Sequence, residues 1–88
     1  MDEGLLVADG FDEAILGVGR RCGQPDVVVY DVEKCVEILM SREGWDYDET
    51  VEFLEFNTFG AWVGERTPIW LDRRLKEQLS LNGTERND

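Results

Sequence analysis

The side chains able to do chemistry are unevenly stocked in this chain. Twenty Asp and Glu stand against nine Lys and Arg, with two Cys and no His. Without imidazole there is no His general base, no His-activated nucleophile and no His-bearing metal site. Cys22 lies beside Arg20 and Arg21, which give a thiolate only modest electrostatic help. Among so many carboxylates some pairs fall close by chance. Only a pKa raised by burial makes one of them a useful acid. Asp9, Asp12 and Glu13 lack the ligand spacing of a calcium loop and read as a solvated turn. The run from Asp46 resembles such a loop superficially, but it has no central Gly and ends on Asn57 where Glu belongs. The expectation is a protein without catalysis, metal or cofactor.

Two groupings remain. The span Glu43–Glu55 holds six acids and no base, and Glu49, Glu52 and Glu55 recur at spacing three. Such a row is either a solvated helix face or a surface shaped for Lys and Arg of a partner. In the second case Asp48, Glu49, Glu52 and Glu55 are the main acids. Tyr47 or Trp62 would then supply the desolvated centre, although a Trp in a domain this small is ordinarily core.

The other grouping is Gly17, Gly19, Arg20 and Gln24, an alternative site for a small molecule or nucleotide. Gly17-Val18-Gly19-Arg20-Arg21-Cys22 carries two glycines of the dinucleotide fingerprint but has Cys22 in place of the third. Pro25 and three valines then follow where a long helix should start. The simpler reading is close packing of a neighbour on the two glycines, such as a helix starting near Val32.

The formal net charge is −11. It disfavours direct binding to nucleic acid or anionic lipid and favours a basic protein partner. Eighty-eight residues with 42% hydrophobic composition make one small domain, here 1–81 with a tail at 82–88. A core of this size gains from self-association, and a homodimer is expected. No basic stretch followed by an apolar run opens the chain and no stretch reaches membrane length, which places it in the cytoplasm with no membrane contact. Cys22 and Cys35 are expected as reduced thiols, Cys35 buried and Cys22 near a loop.

The elements that must position these groups follow from periodicity. Val32, Cys35, Val36, Leu39 and Met40 share one face of a helix that Asp31 caps and Gly44 ends. Ala14–Arg20 and Asp26–Tyr30 read as a hairpin. The spacing predicts a second helix from Glu49 to about Phe59, capped by Asp48, with Val51, Leu54, Phe53 and Phe56 inward and Trp45 or Tyr47 packed across its start. Gly60 can end that helix. Ile69–Leu71 is a third strand, and a short helix is expected over Asp72–Leu81. The fold class is α+β: a small β-hairpin, two helices and a further short strand.

The strings Gly10–Gly19, Cys22-Gly23-Gln24-Pro25, Val28-Val29-Tyr30-Asp31, Phe56-Asn57, Gly60–Glu65 and Thr67-Pro68 carry a resemblance. Through them the chain resembles a family of small uncharacterised acidic accessory proteins of tailed bacteriophages and prophages. The likeness spans roughly Gly10–Leu71. It brings no catalytic residues with it. It implies a non-enzymatic accessory protein in the cytoplasm of an infected host cell, acting on a basic host protein such as a defence or nucleic-acid-binding protein, or else oligomerising as a structural phage protein.

Overall fold

The computed structural model describes residues 4–74. In chain order it contains a short 3-10 turn (Asp12–Ala14), β1 (Ile15–Gly19), β2 (Val27–Asp31), α1 (Val32–Glu43), α2 (Tyr47–Leu54), a π-helical turn (Glu55–Phe59) and β3 (Ile69–Leu71). The fold is α+β. Of the expected C-terminal helix, the part from Leu75 on lies outside the described residues, as does the tail 82–88.

The valine run makes β2 the central strand of a three-stranded sheet. β1 pairs with it antiparallel and β3 parallel. Successive residues of β2 point to opposite faces. Val28 and Tyr30 therefore point toward the helices, while Val27 and Val29 point away from them. Tyr30 is fully buried. Its hydroxyl accepts a hydrogen bond from the Ala8 amide, which ties the N-terminal arm to the sheet. Trp70 of β3 stacks on Tyr30 with ring centroids 4.9 Å apart, and Phe59 meets Trp70 at 4.8 Å.

α1 follows β2 without a loop. The Asp31 carboxylate accepts from the Glu33 amide and caps the helix, and Gly44 closes it at φ 76°, in the left-handed region. Cys35, Val36 and Leu39 are its buried face. Burial pushes the Cys35 thiol up to about 11, and both cysteines are free. Phe11 is also buried and anchors the arm under Arg42, whose guanidinium lies 5.5 Å from the ring centre.

α2 departs from expectation in two ways. Its cap is Asp46, which accepts from the Glu49 amide at 2.8 Å, and Asp48 is instead the second residue of the helix. Asp46-x-x-Glu49 puts the side-chain oxygen on the third helical amide, where a cap acts. The inward row is Thr50 and Leu54, both fully buried, with Val51 partly so. Thr50 can be buried because its hydroxyl donates to the Asp46 carbonyl. Phe53 and Phe56, expected inward, are exposed. Trp45 lies against Phe53 at 5.1 Å rather than across the helix start. Gly60 ends the π-helical turn.

Candidate protein-binding surface

The outward side of α2 is built by helical rotation. At 100° per residue, Glu49, Glu52, Phe53 and Phe56 fall within an arc of about 100° that excludes Thr50 and Leu54. Asp48, Glu49, Glu52 and Glu55 are all exposed. Phe53 is 40% exposed and Phe56 86%. An acid row and two aromatic rings thus share one side of the molecule.

The π-helical turn and the loop after it continue the chain from α2. The Asn57 side-chain Nδ2 donates to the Phe53 carbonyl at 3.1 Å. The Ala61 amide donates to the Thr58 carbonyl. The Thr67 hydroxyl accepts from the Val63 amide at 2.9 Å and donates to the Gly64 carbonyl at 2.6 Å. These bonds fix the backbone on both sides of Trp62. Its indole is nevertheless 75% exposed, and Val63 is exposed beside it. The expectation that a Trp here is ordinarily core fails at this position. The inward aromatic places of this small domain are already held by Trp45, Phe59 and Trp70.

A cleft of about 370 Å³ opens next to this loop, lined among others by Leu6, Val7, Asn57, Val63, Pro68 and Trp70. The arm and the turn form its walls, so Phe56 and Trp62 are direct sequence neighbours of residues lining an apolar hollow. The Trp70 Nε1 is buried and has no hydrogen-bond partner among the described residues.

Tyr47 is placed elsewhere. Its hydroxyl donates to a Glu33 carboxylate oxygen at 3.3 Å and accepts from Arg74 at 2.6 Å. Arg74 also reaches Glu33 at 3.0 Å and Asp72 at 2.9 Å. Its hydrogen bond holds the Asp72 carboxyl below the usual carboxylate range. Tyr47 is thus part of a polar lock between α1, α2 and the end of β3. Glu49, Glu52, Glu55 and Trp62 are all exposed, whereas Tyr47 is tied into that lock.

A Cβ on Gly19 would lie 2.9 Å from the Val29 side chain and 3.5 Å from that of Ile69. The close neighbours of this glycine are therefore sheet side chains and not the helix starting at Val32. Gly17 sits at a bulge with φ 153° and open space before it. Arg20 pairs with Asp26 at 3.4 Å, and the Gln24 amide donates to the Arg21 carbonyl in the connecting turn.

Phe56 and Val63 were not legible as surface residues from hydropathy. The available signal was rotational, since Phe56 shares the arc of Glu49 and Glu52. Among the described residues no group of three or more His, Cys, Asp and Glu is placed to hold a metal. No helix among them is long and apolar enough to cross a membrane. Compared with known proteins, the chain matches no family model, no curated protein and no solved structure.

Proposed function

We propose that this chain is a non-enzymatic protein-binding module that docks the outward side of α2 and the Trp62 loop on a basic surface of a partner protein. The observation that carries the reading is Trp62, an exposed indole on a loop whose backbone is hydrogen-bonded on both sides. An anchor fixed in advance loses little freedom on binding, and large aromatics dominate interface energetics. Phe56 is the second anchor. Asp48, Glu49, Glu52 and Glu55 are exposed acids that add negative charge to this surface, which speeds encounter with a positive surface and selects for it. The resemblance to phage accessory proteins makes the partner a basic host protein, inhibited through occupation of the surface it uses for its own ligand.

The test starts from capture on the wild-type chain and on two variants, followed by calorimetry with the captured protein at two salt concentrations. Glu49→Lys, Glu52→Lys and Glu55→Lys together should weaken binding most at low salt and flatten its salt dependence. Trp62→Ala should cost about 2 kcal/mol or more at both salt concentrations. Unchanged affinity in both variants would refute the reading.

A further inference from the structure

We propose that two copies of the chain pair antiparallel along β1, about a two-fold axis near Gly17, to form one continuous sheet. The sheet has two outer strands. Unpaired edges template further strands unless they are short, charged or blocked by proline. β3 meets those conditions, with three residues, Pro68 in front and the Asp72–Arg74 ion pair behind. β1 does not. It has five residues, Ile-Leu-Gly-Val-Gly, with neither charge nor proline. Among the described residues its backbone has no partner beyond β2.

The side chains of β1 point to the same use. Ile15, Leu16 and Val18 are 39%, 48% and 49% exposed. Gly17 has no atom within 4 Å of where a Cβ would stand, so the face of the strand is open at its middle residue. The bulge at Leu16 bends the strand. The new ladder is accordingly short and centred on the glycine.

Charge selects a second copy as the occupant. Asp12 and Glu13 precede the strand, and Arg20 and Arg21 follow it. Antiparallel pairing of two identical strands sets the acidic end of each copy against the basic end of the other, twice by symmetry. The stretch is locally neutral although the chain is at −11. Arg20 is held by Asp26 in its own chain, whereas Arg21 has no ion pair among the described residues. Glu13 of one copy and Arg21 of the other are therefore the pair to test.

Sedimentation equilibrium of the full chain at moderate salt should give about twice the 10.1 kDa chain mass. Arg21→Glu sets acid against acid and should raise the dimer dissociation constant about tenfold, with an unchanged circular dichroism spectrum. Adding Glu13→Arg to that variant should restore the wild-type constant. Amide exchange at Leu16 and Val18 should slow as protein concentration rises. A monomer at every concentration overturns the proposal, as does a dimer indifferent to Arg21→Glu or one that the double exchange fails to restore. A dimer abolished by Trp62→Ala also overturns it, since the seam would then be the proposed partner surface.

Discussion

Trp70 and Trp62 stand eight residues apart in sequence and meet opposite fates. Trp70 alternates inward on β3 and is clamped between Tyr30 and Phe59. Trp62 sits on a loop fixed by Thr58 and Thr67 and faces outward. The same division separates Leu54 from Phe56 two residues later, the first fully buried and the second almost fully exposed. Residue type does not decide burial here; rotational register and backbone hydrogen bonds do. The inner set holds the fold together, and the outer set is free to bind something else.

The largest break in that comparison is expected at its inner pole. Leu54→Ala should destabilise the domain by about 2–5 kcal/mol through lost burial and a residual cavity, read by chemical denaturation. Alkaline pH should come next. The folded state keeps the Cys35 thiol neutral up to about 11. The unfolded chain releases that proton at lower pH. The stabilisation is fully present below the ordinary thiol pKa and is lost as pH rises through about 11, worth roughly 3 kcal/mol. Denaturation across that window should show the loss, and Cys35→Ala should remove this part of the slope. Asp46→Ala should cost about 1 kcal/mol through the lost cap, while Asp48→Ala should change stability much less. The smallest effect is expected at the outer pole: Phe56→Ala and Trp62→Ala should each shift stability by no more than about 0.5 kcal/mol. A cost for either comparable to that of Leu54→Ala would erase the distinction between the two sets.

α1 was legible almost to the residue because its signals agree. Asp31 caps, Gly44 terminates, and Cys35, Val36 and Leu39 recur on one face. The valine run of β2 was equally clear, and Ile69–Leu71 joined the sheet as expected, although its parallel sense was not readable from so short a run. α2 was misread at its start because Asp46 and Asp48 flank its first residue and both suit a cap. Its face was misread because Phe53 and Phe56 outweigh Thr50 in hydropathy. Thr50 is inside only because its hydroxyl is satisfied by Asp46, a local bond that composition does not reveal. The acid row was legible as a row. Trp62 was legible only as one of two alternatives, core or anchor, because its exposure depends on the Ala61 amide reaching the Thr58 carbonyl and the Val63 amide the Thr67 hydroxyl.

The bond between Arg73 and Asp31 joins residues 42 apart in sequence, at the end of the parallel β2–β3 pair. Forming that pair requires closing a long loop, whereas the hairpin and α1 are nearly local. Refolding should therefore assemble the hairpin and α1 early and add β3 late. Trp70 is a built-in clock for the late step, since its stacking on Tyr30 and Phe59 exists only after β3 has docked. In stopped-flow refolding of a Trp45→Phe, Trp62→Phe chain, the Trp70 fluorescence change should lag the far-ultraviolet dichroism. Coincident traces would mean that the strand and the helices form in one step.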